Sequence, residues 1–342
     1  MPHNLNHLDA ALAAYPRVAL LEGPTPIQKL SRLSRLPELN GCNLYVKRDD
    51  LTGLGGGGNK LRKLEFLLGE ALAEGADTLV TWGGFQSNHA RLTAAVAARQ
   101  GLACELILTP SAVRTDGDFC HNGNVLLDGL FGAKVHRLPR GVMPDTYAAQ
   151  LVEKLKSLGK KPFVMPLGGS SPRGSLGYAA CAAEVLHQAD ALGVQFEQII
   201  VPNGSAGTHS GLLAGVTLAG ATTQILGYSV LATEEQATTT TLEKTRQVLQ
   251  LLDPSTTLAD SAINVDGSQR GEAYGAPTET MLEAVRLLAS REGLLTDPVY
   301  GGKAFAGLLA AVRRGDYLAG SNLLFVMTGG LPGLFAYRSA FD

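Results

Sequence analysis

Apolar positions along the chain fall into two alternating patterns. Short runs dense in Val, Ile and Leu read as strands, and longer stretches with apolar residues three and four apart read as helices. The short runs predict strands at Asn43–Lys47, Thr78–Thr81, Cys104–Leu108, Lys134–Leu138, Phe163–Pro166, Gln198–Val201, Ile225–Val230 and Asn322–Met327. Between them, "NKLRKLEFLLGEALAEG" (59–75) and "NHARLTAAVAARQG" (88–101) keep helical spacing and close on glycine, the usual helix stop. The apolar stretch from Gly211 to Ala232 is interrupted by Thr217, Thr222, Thr223 and Gln224. It reads as a buried helix, a turn and a buried strand, not a membrane span. Strand and helix alternating over this length predict an α/β fold with mostly parallel, covered sheets. Ligands in such folds sit beyond the carboxyl ends of strands. The loops there are rich in Gly, Ser and Asn: "TWGGFQSNHA", "PLGGSSPRG", "VPNGSAGTHSG" and "MTGGLPG".

Composition narrows this picture. With 342 residues, 45% of them hydrophobic and 18% charged, the chain suits a well-buried enzyme of two lobes or one large α/β unit, and disorder is excluded. A net charge of −2 provides no bulk field for nucleic acid. Cys42, Cys104, Cys120 and Cys181 form no CxxC pair, and no His cluster completes a metal site, so reduced thiols in a cytoplasmic protein are expected. The first residues, "MPHNLNHLDAALAAYPR", lack the basic start and apolar core of a signal peptide.

The candidate chemistry starts at "GLGGGGNKLRKLEF". A P-loop needs Gly-Lys-Ser/Thr, but Lys60 lies between Asn59 and Leu61. Gly53, Gly55 and Gly58 satisfy GxGxxG only formally, since "RDDLT" separates them from the preceding strand. The better phosphate site is "VPNGSAGTHSG". There a strand ends and Gly204, Ser205, Ala206, Gly207 and Thr208 turn into a helix whose first amides favour an anion. An ordinary βα turn has the same look. A lysine behind a helix start is commonly just a surface charge. Beside a phosphate-bearing cofactor it suggests covalent chemistry, a Schiff base with pyridoxal 5'-phosphate.

Six ordered motifs decide between these readings: "KRDDLTGLGGGGNKLRKLEFLLGEAL", "GGFQSNHARLTAAVAARQG", "NGNVLLDGLFGAKV", "GSAGTHSGLLAG", "YGAPTETMLEAVRLLASREGLLTDPVYGGKA" and "FVMTGGLPGLFAY". From about Pro16 to Tyr337 the chain resembles the D-cysteine desulfhydrase and 1-aminocyclopropane-1-carboxylate deaminase family, pyridoxal-phosphate enzymes of the tryptophan-synthase-β fold type (fold type II). The resemblance implies a homodimer acting on a small amino acid, with no nucleic-acid or membrane partner. It implies two lobes, each a mostly parallel twisted sheet flanked by helices. Residues 1–62 and 170–342 would form the cofactor lobe, and 63–169 the substrate-clamp lobe. Lys60 would carry the cofactor, and Gly204 to Thr208 would bind its phosphate. Asn88 would bond the ring hydroxyl, and Thr328 would meet the pyridine nitrogen. Ser87, Asn88 and His89 would clamp the substrate carboxylate, and Tyr274 and Tyr300 would stand by the substrate.

Within that resemblance, the deaminases carry a glutamate after the "DPVY" tyrosine, where this chain has Gly301. Loss of that carboxylate favours β-elimination from D-cysteine over opening of a cyclopropane. Trp82, Phe85 and Leu331 also depart from the pattern, the first two flanking the Ser87 clamp. The alternatives left open are 1-aminocyclopropane-1-carboxylate, L-cysteate with Arg91 as its cation, another β-substituted amino acid, and a cofactor-binding protein without turnover.

Overall fold

The two most apolar runs lie side by side in the larger of two sheets. The computed structural model describes residues 4–110 and 114–342. Its strands are β1 (Ile27–Lys29), β2 (Asn43–Lys47), β3 (Thr78–Gly84), β4 (Ala103–Thr109), β5 (Lys134–Arg137), β6 (Pro162–Met165), β7 (Gln198–Asn203), β8 (Gln224–Ser229), β9 (Asn264–Asp266) and β10 (Asn322–Val326). The larger sheet has the order β1-β2-β10-β7-β8-β9 and the smaller β5-β4-β3-β6. All pairings are parallel except β1 with β2. Helices cover both faces of β7 and β10, so their sequences run apolar without alternation.

The eight predicted strands are present with ends shifted by a few residues. β3 runs on to Gly84 because Trp82, Gly83 and Gly84 pair with Ile107, Leu108 and Thr109 of β4. That extension carries the chain to the Ser87 turn. β1 and β9 were not predicted, and each has only three residues at a sheet edge.

Helix Lys60–Ala73 joins the two halves. Leu64, Leu67 and Leu68 pack with Leu79, Leu92 and Leu106 of the smaller-sheet core, and Phe66 packs with Leu176 and Ala179 on the other side. Buried all round, a helix should be apolar all round. This one also buries Arg62, Lys63 and Glu65. Buried charges need partners or a purpose. Among the described residues, no helix is long and apolar enough to cross a membrane, and all four cysteines are free.

Candidate active site

The carboxyl ends of β3, β4, β7 and β10 open on one cleft of about 280 Å³, lined by Lys60, the 87–89 and 204–208 segments, Tyr274, Tyr300 and Thr328 as expected. Lys60 reaches the cleft through the glycine loop. Gly57 has φ +68°, and a β-carbon there would lie 2.2 Å from Asp50 O, so only glycine makes the turn. The loop is pinned on three sides. Gly58 N–H donates to Thr52 Oγ1 (2.7 Å), Asn59 N–H donates to Thr328 O (3.0 Å), and Arg91 donates to Gly55 O and Gly57 O. Arg91 is therefore a buried brace of the loop, outside the cleft, which corrects the expectation that it could meet a sulfonate. Burial pushes the Lys60 ammonium down to about 8, with the Asp297 charge pulling the other way.

Across the cleft, β7 ends in the 204–208 loop. Ala206 has φ 64°, a left-handed conformation that costs a residue with a β-carbon about 1–2 kcal/mol. Helix Gly207–Leu218 starts directly after it. The first amides of a helix have no acceptor inside it, so they face outward. Thr208 Oγ1 accepts from Asn59 Nδ2 (3.0 Å), which leaves the Thr208 hydroxyl hydrogen free for an anion. Ser205 Oγ lies 2.7 Å from Ser170 Oγ, and Lys63 Nζ donates to Ser170 Oγ (2.8 Å) and Gly168 O (3.2 Å). Lys63 was missed in the sequence. Its signal is spacing, three residues after Lys60 and hence on the same helix face.

The third wall is the start of helix Asn88–Gln100. Ser87 caps it, its Oγ accepting from Ala90 N–H (3.1 Å). The amides of Asn88 and His89 are thus left for a ligand. The His89 ring is buried with both nitrogens unpartnered, and burial holds it neutral, followed by the Lys60 and Lys63 charges. Tyr274 and Tyr300 share a hydroxyl–hydroxyl hydrogen bond, their rings 6.1 Å apart. Burial raises both phenols, Tyr300 to about 12. Trp82 lines the cleft, but Phe85 does not. Phe85 flanks the Ser87 turn but lies under the Arg137 guanidinium at 5.4 Å, outside the cleft lining, so of the two departures only Trp82 shapes the pocket directly.

Over residues 18–329 the chain matches the family of pyridoxal-phosphate dependent enzymes. It belongs to that family. It is 42% identical to a D-cysteine desulfhydrase of Serratia proteamaculans (strain 568), covering 97% of this chain and 99% of that one. A D-cysteine desulfhydrase of Yersinia enterocolitica is also 42% identical, covering 97% and 98%. The crystal structure of an ACC deaminase homologue is 37% identical and superposes with a TM-score of 0.88 over 98% of each chain. The fold is that of the fold-type II members.

Whether this site fits pyridoxal phosphate is answered by its charges. Lys60, Lys63 and a bare His89 line the cleft, and among the described lining residues there is no carboxylate and no arginine. Such a lining suits an anionic group. A β-carbon on Gly207 would lie 2.6 Å from Ser170 Oγ and 2.8 Å from Lys63 Nζ, so only glycine lets the Lys63 amine and Ser170 approach the 204–208 loop this closely. The cofactor fits.

Gly301 has a physical reason. A β-carbon there would lie 2.0 Å from the buried Thr296 Oγ1 and 3.3 Å from Asp297 Oδ2. Asp297 in turn accepts from the N–H groups of Val299, Tyr300 and Gly301. Burial raises its carboxyl to about 6 against those bonds. No side chain can grow from position 301 without moving this cap.

Proposed function

We propose that this enzyme catalyses α,β-elimination of D-cysteine, which with one water gives pyruvate, hydrogen sulfide and ammonia. One observation carries the choice of reaction. The space that a side chain at position 301 needs is filled by Thr296 and the Asp297 cap, so no carboxylate stands there. The 42% identity to D-cysteine desulfhydrases supports the same substrate. A cleft without arginine is a poor host for the sulfonate of L-cysteate.

Bound pyridoxal phosphate supplies an aldehyde that condenses with amines and a ring that withdraws electrons from the substrate α-carbon. The chain's residues do the rest. Lys60 Nζ would hold the cofactor, and its amine, free when substrate is bound, would take the proton from the substrate Cα. A pKa near 8 suits that exchange. The 204–208 loop and Lys63 bind the phosphate. Asn88 would bond the ring oxygen and Thr328 would meet the ring nitrogen. Ser87 and the amides of Asn88 and His89 hold the substrate carboxylate at a helix start. Tyr274 and Tyr300 share one hydroxyl hydrogen and leave the other to donate to the departing sulfur. Residues 63–169 close as a lobe on 1–62 with 170–342, excluding water.

Exposed Leu126, Leu130, Leu331 and Phe335, on two helices in contact, support a homodimer. Free cysteines support a cytoplasmic setting.

The experiment is to supply D-cysteine to cofactor-loaded protein and measure pyruvate and sulfide. Release of both at equal rates is expected. Intact cofactor binding with no release from D-cysteine would overturn the substrate and leave the cofactor reading standing.

A further inference from the structure

We propose that Asn124 is a positioning residue that makes Asn88 a hydrogen-bond donor toward the cleft, an inference that rests on Asn88 facing the cofactor ring oxygen. A carboxamide can present either its oxygen or its NH₂, and which one it presents is decided by what holds the other end. Asn124 is fully buried at the start of helix Asn124–Leu130. Its side chain lies 3.0 Å from Gln86 O, a backbone carbonyl that can only accept, so the atom there must be Nδ2. The second hydrogen of that NH₂ goes to Asn88 at 2.9 Å, so the Asn88 atom there must be Oδ1. The Asn88 NH₂ is thereby left for the cleft.

The chain of constraints is anchored further back. Gln86 Oε1 accepts from Asn124 N–H (2.9 Å), while Gln86 Nε2 donates to Phe119 O (2.7 Å) and Asn122 O (3.0 Å). Both amide orientations thus trace to backbone carbonyls, and neither can turn over without breaking a buried hydrogen bond. The group opposite Asn88 must be an acceptor, and a donor aimed at a ring oxyanion lowers its proton affinity. Asn124 itself does not line the cleft, so it acts through Asn88.

The test reads the absorbance of cofactor-loaded protein across pH, together with the cofactor dissociation constant. Asn124→Ala should raise the pH midpoint of the absorbance change by about one unit and weaken cofactor binding about tenfold, the effect of losing one hydrogen bond to a charged group. Asn124→Asp keeps the shape and cannot donate to both oxygens, so it should raise the midpoint at least as far. It also serves if the alanine variant fails to fold. In an Asn88→Ala background, Asn124→Ala should leave the midpoint where it is. Equal shifts in both backgrounds would mean that Asn124 acts on the fold at large, and the proposal would fall. An unmoved midpoint in Asn88→Ala itself would sink the placing of Asn88 at the ring oxygen, and this proposal with it.

Discussion

Two buried charge clusters share the first turn of helix Lys60–Ala73 and are built on opposite plans. On one face Arg62 is saturated. Its guanidinium forks onto both oxygens of Asp49 (2.8 Å each), reaches Glu184 Oε2 (2.9 Å) and donates to Thr25 Oγ1 (2.9 Å). Tyr178 donates to Asp49, and Lys47 donates to Glu184, Thr25 O and Gln188. Burial alone would push Asp49 and Glu184 up, but Arg62 and Lys47 together outweigh it, with the Tyr178 hydroxyl helping at Asp49, and both stay below the usual carboxylate range. On the other face Lys60 and Lys63 meet no carboxylate in the cleft, and burial depresses both. The first cluster is complete without a ligand and fixes the helix. The second presents its amines to the cleft. Fold and chemistry are thus separated by one residue along the chain.

Substitutions can break this contrast from either side. The largest effect is expected from Lys60→Ala, which removes the proposed proton carrier. General acid–base steps are worth about 10²–10⁴-fold, so kcat should fall to the lower end of detection with the folded state intact. Retention of a tenth of wild-type turnover would remove Lys60 from the mechanism. Arg62→Leu should do the reverse. It strands buried Asp49 and Glu184, and breaking a buried pair from one side costs about 3–5 kcal/mol. Denaturant unfolding should show that loss, with kcat of the folded fraction changed little. An unchanged midpoint would mean the cluster is not what holds the helix.

Lys63→Met sharpens the comparison inside the cleft. It removes the buried amine proposed to bind the phosphate. Cofactor affinity should fall about 10–100-fold, as for loss of a charge-assisted bond, while unfolding of the cofactor-free protein should show only the cost of the lost bonds to Ser170 and Gly168, about 1–2 kcal/mol. Equilibrium titration with pyridoxal phosphate checks the first and thermal unfolding the second. Equal affinity in the variant would assign Lys63 to packing alone.

Much of this arrangement is legible in the chain because it is local. The glycine run that only a tight turn tolerates, the lysine behind it, the Ser-Asn-His helix start and the Gly-Ser-Ala-Gly-Thr loop each declare themselves within a few residues. What escaped depends on contacts between distant segments. Lys63 meets Ser170, 107 positions away, and only that contact distinguishes it from an ordinary helix lysine. Arg91 sits one turn past Ser87 and so invites a role in the clamp, yet its side chain leaves the helix toward the glycine loop. Gly301 read as a missing carboxylate. That Thr296 fills the space is visible only when residues 296 and 301 are brought together at a helix start. β1 and β9 escaped because three residues carry too little alternation to register.

The smallest effect is a pH signature of the open cleft. The folded pKa of Lys60 is depressed from its ordinary 10.5 to about 8. A lysine shifted this way penalises the folded state in full below about pH 8. The penalty is relieved as pH rises toward 10.5, because in that window the unfolded chain holds more protons than the folded one. Cofactor-free protein should therefore gain stability across the window relative to Lys60→Met, on the order of 1 kcal/mol after screening by cleft water. Loading the cofactor onto Lys60 should abolish the difference in slope. The saturated face supplies the control. Arg62 is held well above its ordinary value, so replacing it should leave the slope in this window unchanged. Parallel stability curves for wild type and Lys60→Met would mean that the Lys60 ammonium is already compensated. The two faces of the helix would then not differ in the way their hydrogen bonds imply.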